Sequence, residues 1–348
     1  MSPLLLALAV TLVKIAVVLG AVMTAVAMMA LIERRFAGLI QDRPGPNRVG
    51  PFGLLQPVAD GLKFLFKEEV IPDEADKWIY LLAPLLAFVP AMAFFAVIPM
   101  GTPFTVFGIV VEPLIAPSSF GVLYILALSG LSVYGVFLAG YASGSKYPLL
   151  GGLRATAQMV AYEIPMAMAL LAVVYAARSL DFTVIADAQA GTWFGVVPKW
   201  FVLPQIIGFF VFWVAILAEC KRLPFDLPEA EAELVVGFHT EYSAMKFAMF
   251  FMGEYAHMIA ASAIVTLLYF GGWHLPFAVP GGNLGALIAF AAFAAKTAFF
   301  LWLFIWIRWT LPRYRYDQLI RLGWTVLTPL AFLNLLITLF TCRAPGVN

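Results

Sequence analysis

The stretch PFDLPEAEAEL places four carboxylic acids within eight residues: Asp226, Glu229, Glu231 and Glu233. Acids this close can cap a helix, hold a cation or share protons. Asp226 and Glu229 form a D-x-x-E pair around Pro228, which suits a first helical turn. A helix start stabilises acids there by about 0.3–1 kcal/mol each, which accounts for one or two of them. Glu231 would lie about 200° round from Glu229 on a helix. Glu233 follows Glu229 on one stripe, where repulsion raises at least one pKa and makes the pair share protons. With Glu219 upstream and Glu241 downstream, the pattern reads as a carboxylate funnel. The spacing is not that of an EF-hand calcium loop.

Five more ionisable residues interrupt apolar runs: Lys14, Glu163, Glu254, His257 and Lys296. Charge inside a membrane is costly, and where present it usually faces a bundle interior and marks an ion or proton path. Lys14 could equally snorkel or face a partner. Glu163 sits in AQMVAYEIPMAM, where Pro165 can free a backbone carbonyl for a partner. Glu254 and His257 are three apart and share a helix face, which suits either a proton path or a structural hydrogen bond. Lys296, in AFAAKTAFF, calls for a carboxylate on a neighbouring span. Several such groups on different spans favour a hydrophilic axis over a set of anchors.

The elements that must carry these groups follow from composition. Of 348 residues, 63% are hydrophobic and only 12% charged, too apolar for a water-soluble globule. Eight stretches approach the roughly 20 apolar residues that cross a bilayer. They lie near Leu4–Ile32, Trp78–Met100, Phe120–Tyr141, Ala155–Ala177, Phe201–Ala218, Phe247–Phe270, Leu284–Ile307 and Leu322–Thr341. The first has no basic leader and carries Lys14 inside, unlike a signal peptide. The expectation is an all-α polytopic membrane protein of about eight transmembrane helices, one membrane domain over residues 1–348. Odd-numbered connections hold 16 of the 21 Lys and Arg, so by the positive-inside rule they face inward and both termini face out. The inner loops at 33–77 and 219–246 then hold most of the chemistry, and the acidic stretch lies on the inside.

In the first inner loop, RPGPNRVGPFG is a shaped turn. Leu54, Leu55, Val58, Leu62 and Leu65 then line one face of an amphipathic helix, as for a helix lying in the interface. It could anchor the loop or roof a passage for an amphiphile. Net charge is +1, which gives no reason for a nucleic-acid partner. The two cysteines and three histidines form no metal-ligand spacing and no haem pair at matching depth. Nucleotide-binding and zinc-hydrolase motifs do not occur. No internal repeat of the kind that builds inverted-repeat transporters is evident.

Three blocks carry a resemblance: ERRFAGLIQDRPGPNRVGPFGLLQPVADGLKFLFKE, RLPFDLPEAEAELVVGFHTEYSAMKFAMFFMGEY and LWLFIWIRWTLPRYRYDQLIRLGW. They closely resemble the family of the H-type membrane subunits of NADH-quinone oxidoreductase (respiratory complex I), whose mitochondrial counterpart is NADH dehydrogenase subunit 1. The resemblance runs from about Leu4 to Thr341. It implies a proton-translocating enzyme subunit, inactive alone, that forms most of the membrane-side quinone chamber. It implies quinone as substrate, with no haem, flavin, metal or iron–sulfur cluster on this chain. Partners implied are iron–sulfur-bearing peripheral-arm subunits and antiporter-like membrane subunits, in membrane lipid. Carried over by motif, Arg34, Phe251, Met252, Tyr255 and Arg308 would line the quinone site. Asp226, Glu229, Glu231 and Glu233 would couple quinone chemistry to protons, and Glu219, Glu163 and Glu254 would continue the path, with Lys296 on the same axis. The Ala/Gly-rich composition favours a bacterial plasma membrane over an organelle. The alternatives are the equivalent subunit of a membrane-bound hydrogenase, a self-contained ion transporter, or a docking scaffold.

Overall fold

In the computed structural model, residues 3–106, 108–193, 195, 197–226, 237–277 and 280–341 are described. The chain is an all-α polytopic membrane protein. Its long helices are α1 (Pro3–Ile40), α3 (Lys77–Ala93), α4 (Gly121–Ala142), α5 (Lys146–Ala177), α8 (Ala244–Tyr269) and α9 (Asn283–Thr310). A last rod runs from α10 (Tyr316–Arg321) through a π-helical turn at Leu322–Leu327 into α11 (Thr328–Thr341). Among the described residues, these make 7 helices long and apolar enough to cross a membrane.

The remaining expected span is shorter than its apolar run. Helix α7 covers Ile206–Glu219, about 21 Å at 1.5 Å per residue, less than the roughly 30 Å of a hydrocarbon core. Residues Phe201–Gln205 turn instead. Pro204 disfavours helix at the residue before it, and the Val202 N–H donates to the Tyr269 carbonyl at 3.0 Å, against the end of α8. Conversely α5 starts at Lys146 rather than Ala155, because its first turns pack where only glycine fits. A Cβ on Gly151 would lie 2.8 Å from the backbone nitrogen of Phe238.

Helix α8 is the core of the bundle: every residue from Met258 to Tyr269 is buried, as expected of a helix apolar all round. It packs against α3, α9 and α1. Close approach is set by small residues, the usual device where lipid removes the hydrophobic drive between helices. Ala87 of α3 lies between Gly135 of α4 and Gly253 of α8. A Cβ on Gly135 would be 2.7 Å from the Ala87 nitrogen, and one on Gly253 would be 3.2 Å from its carbonyl oxygen. The contact fixes α8 beside Glu254, the next residue. Leu5, Val13, Val17, Leu287, Phe299 and many others are exposed around the bundle, the face offered to lipid.

Two short antiparallel hairpins, β1 (Phe104–Val106) with β2 (Ile109–Val111) and β3 (Thr192–Trp193) with β4 (Val197–Pro198), lie in the connections at one end. At the other end α2 (Gln56–Phe66) forms where the amphipathic pattern places it. Phe64 tilts against Phe247, and Asp60 pairs with Arg34, so these residues turn inward. Val58, Leu62 and Leu65 are exposed, so the apolar stripe faces away from the bundle. Helix α6 (Phe182–Asp187) completes the set, with Asp181 accepting from the Thr183 N–H at 2.8 Å as its N-cap.

Candidate functional site

Helix α1 runs eight residues past its expected end, and this brings the run Glu33-Arg34-Arg35 into the structure as helix. The three side chains go three ways. Arg35 donates to the carbonyl of Phe52, and Arg34, 48% exposed, pairs with Asp60 at 2.5 Å. Glu33 faces inward and is only 4% exposed. It continues the buried stripe Val22, Val26, Met29 at helical spacing.

Glu33 meets three groups from three other segments. Arg222, in the loop after α7, donates to its Oε1 at 3.2 Å. Arg308, in the last turn of α9, donates to the same oxygen. The Tyr255 hydroxyl of α8 donates to Oε2 at 2.6 Å. Arg222 also places Nε 2.5 Å from Glu254 Oε1 and its guanidinium 4.5 Å above the Tyr255 ring. Two carboxylates thus balance two guanidiniums, with Arg222 itself 3% exposed. Burial works against the Arg222 charge, but Glu254 and Glu33 outweigh it and raise its pKa further. A buried pair of this kind adds little net stability, yet removing one partner costs about 3–5 kcal/mol.

A second tier surrounds this network. The Arg313 guanidinium donates to Asp226 at 3.2 Å. Glu219, buried at the end of α7, accepts from the Ser129 hydroxyl, and His257 Nε2 lies 3.7 Å away. Glu163 comes to the same place from α5: its Oε1 is 3.6 Å from a Cβ built on Gly130, next to Ser129. His239 is buried, and that burial, helped by the Lys221 charge, lowers its pKa to about 4.

Members of both tiers wall a cavity of about 370 Å³. Glu219, Asp226 and Glu254 stand among Lys221, Arg308 and Arg313, with His239 and His257 beside them. Phe238, Phe247, Phe250, Phe251 and Met159 supply its apolar surface. Such a space combines aromatic walls for a ring with charged groups able to orient it and exchange protons. A narrower cavity continues from Glu219 and His257 between Phe94, Ile125, Met166 and Ile264 into the bundle.

Burial pushes the Asp226 carboxyl up to about 7, against the pull of the Arg313 guanidinium. A carboxylate whose folded pKa exceeds its unfolded value makes the fold bind the proton more tightly. Stability is then complete below the unfolded pKa and declines as pH rises through the folded one. Asp226→Asn is therefore expected to flatten the pH dependence: the gap in thermal midpoint between variant and wild type should move in the variant's favour from about pH 4 to about pH 7 and stay level above it. A gap that stays constant over that range would show that burial does not govern this carboxyl.

The sequence-predicted residues divide accordingly. Glu219, Asp226, Glu254, Phe251 and Arg308 line the one cavity, and Tyr255 holds Glu33 beside it. Met252 is partly buried, packed on the core, and does not line this cavity. Arg34 is outside it, paired with Asp60. Glu229, Glu231 and Glu233 lie outside the described residues. Lys296 is elsewhere. Instead of a carboxylate, it donates to the carbonyls of Phe270, Gly272 and His274 at 2.8, 2.9 and 2.7 Å. These free carbonyls sit past the end of α8, about 24 Å along the helix from Glu254. Lys14 likewise donates to a carbonyl, that of Leu114, at 3.2 Å.

Sequence reasoning missed Glu33, Arg222 and Arg313; the two arginines counted only toward the basic inner loops. The spacing of Glu33 behind Val22, Val26 and Met29 was the available signal. In a helix apolar on every side, that stripe has no polar contrast to reveal it.

Comparison with known proteins gives consistent matches. The family model described as NADH dehydrogenase matches residues 13–339. The first of the H-type subunits of NADH-quinone oxidoreductase in Geobacter metallireducens is 50% identical over 338 residues, covering 97% of this chain and 98% of that protein. The H-type subunit of the same enzyme in Leptospira biflexa is 50% identical over 326 residues, 91% of this chain and 90% of its own. The one in Deinococcus radiodurans is 48% identical, covering 95% of this chain and 82% of that protein.

Proposed function

This chain belongs to the NADH dehydrogenase family, as a membrane subunit of the H type in NADH-quinone oxidoreductase, and we propose that its charged cavity is part of a quinone chamber and the mouth of a proton-coupling path. One observation carries the reading: the buried Glu33–Arg222–Glu254 network, tied to Tyr255 and Arg308, stands at the wall of a space that also presents Phe251.

Reduction of a quinone to a quinol takes up protons as well as electrons. In this reading electrons arrive from an iron–sulfur-bearing peripheral-arm subunit, and flavin and clusters belong to other subunits. This chain positions the quinone ring with Arg308, Phe251 and Tyr255, while Met252 supports them from the helix and Arg34 lies at the rim. Asp226 and Glu254 exchange protons with the chamber, Glu219 and Glu163 carry them into the bundle, and antiporter-like subunits receive the linked signal. Glu229, Glu231 and Glu233 extend the acidic inner loop 219–246, and loop 33–77 covers the chamber with α2 in the interface. Lys296 serves the outer end of α8 rather than the inner carboxylates. Bacterial relatives and the Ala/Gly-rich composition support a bacterial plasma membrane.

The test is to tag the chain, purify from native membranes whatever assembly holds it, and assay NADH:quinone reduction with a quinone-site inhibitor. Inhibitor-sensitive activity in a particle containing flavin and iron–sulfur clusters is expected. A particle that evolves or oxidises hydrogen and ignores NADH and quinone would overturn the quinone reading in favour of a hydrogenase-type complex.

A further inference from the structure

Helix α7 begins only at Ile206, so it leaves the outer part of the groove beside α8 to be filled by other groups. Gln189, in the turn after α6, is 1% exposed. Its amide donates to the carbonyls of Ile185, Leu267 and Leu268 at 3.1, 2.8 and 3.3 Å. Its oxygen accepts from the N–H groups of Phe201 and Gly271, each at 3.0 Å. One side chain thus ties α6, the end of α8 and the turn before α7, and it satisfies backbone groups that would otherwise need water.

Lys296 does the same from α9. A charged ammonium has three N–H donors, and the carbonyls of Phe270, Gly272 and His274 take one each, at 2.8, 2.9 and 2.7 Å. The ammonium also lies 4.9 Å from the centre of the Trp200 ring, within cation–π reach. Next to it the rings of Phe209, Phe270 and Phe300 pack against one another with centroids 5.5, 5.0 and 6.4 Å apart. Tyr269, fully buried, meets Phe209 and Phe212. Phe212 and Ile264 also line the narrow cavity that leads from Glu219 and His257. From Ile264 to Phe270 is about 9 Å along α8. The carboxylate path therefore comes within two helical turns of the Lys296 carbonyls and meets aromatic rings there.

We propose that Gln189 and Lys296 form a proton seal at the outer end of the bundle, so that the carboxylate path opens on the inner side alone. The inference rests on the proton-path reading above. Backbone groups freed at membrane depth take their hydrogen bonds from protein or from water. Here two side chains supply those bonds, which keeps water out of the gap that the short α7 leaves. The fixed Lys296 charge adds an electrostatic barrier to a cation entering from outside, as fixed cations do in selective pores.

The experiment uses the intact purified complex in proteoliposomes, without NADH, and follows the decay of an imposed pH gradient with an internal dye. Lys296→Met, which removes all three donors, should dissipate the gradient about tenfold faster than wild type. Gln189→Leu should do so as well. Native gel electrophoresis shows that each variant is assembled. Adding Glu219→Gln to Lys296→Met should return the leak to the wild-type rate, because the breach needs the carboxylate path to cross the membrane. A wild-type leak rate in the assembled single variants would overturn the proposal. So would a leak that persists in the double variant, since the breach would then lie off the path. Failure of the proton-path reading is read separately, from coupled turnover in Glu219→Gln alone. In the unmodified complex, hydroxyl-radical labelling should mark Phe247 and Phe251 at the inner cavity and spare Tyr269. Equal labelling of Tyr269 would put water at the outer end and overturn the seal without recourse to a variant.

Discussion

Arg222→Met is expected to abolish inhibitor-sensitive quinone reduction and to leave little assembled complex. Arg222 is the cation shared by Glu33 and Glu254, at 3.2 and 2.5 Å, with both acids mostly buried. Its removal takes the shared guanidinium from both acids, leaving Glu33 with Arg308 and the Tyr255 hydroxyl, at a cost of about 3–5 kcal/mol. Arg222→Lys should recover only part of the function, because an ammonium is a point charge and lacks the planar fork that serves two carboxylates at once. The double variant Arg222→Met with Glu254→Gln restores the charge balance and is expected to regain assembly without regaining turnover. Native gel electrophoresis reports assembly, and NADH:quinone rates report function. An assembled Arg222→Met complex turning over at more than half the wild-type rate would mean that this network does not hold the site.

Glu219→Gln is expected to slow quinone reduction and the proton translocation tied to it together, while electron transfer within the peripheral arm continues. Glu219 accepts from Ser129, lies 3.7 Å from His257, and lines both the charged cavity and the narrow one that continues into the bundle. Glutamine keeps the size and an acceptor oxygen but cannot carry the proton. Losing a positioned proton-transfer group slows the dependent step by about a hundredfold. Coupled quinone reduction and dye-reported proton pumping in proteoliposomes should fall together. NADH oxidation by a hydrophilic acceptor in the peripheral arm should continue at the wild-type rate. Ser129→Ala, which removes only a donor to the same carboxylate, should have a milder effect of the same kind. Full coupled turnover in Glu219→Gln would remove this carboxylate from the proton path and favour a scaffold role for it.

What the sequence determined alone is the solvent and the inventory. A stretch of about twenty predominantly apolar residues is a local property, so Trp78–Met100, or Leu284–Ile307 despite Lys296, declares itself a membrane helix without reference to any neighbour. The amphipathic pattern of α2 is local as well, and Gln56–Phe66 forms where it is expected. The residues able to do chemistry were also visible, because a charge in such a background is conspicuous. The motif blocks then named the family that the comparisons show.

Only the tertiary structure decided which of those charges meet. Glu33 and Arg34 are neighbours in the chain, yet one is buried in the network and the other is exposed against Asp60. A helix surrounded by lipid has apolar residues on every side, so nothing along its own sequence marks the inward face. Contacts between helices set that rotation, through close approaches such as Gly135 and Gly253 about Ala87. The same holds for partners. Lys296 called for a carboxylate by composition, but the carbonyls past the end of α8 lay within reach and satisfied it. Length, composition and motif are properties of a segment, whereas facing and pairing are properties of the packed bundle. The site exists only at the second level.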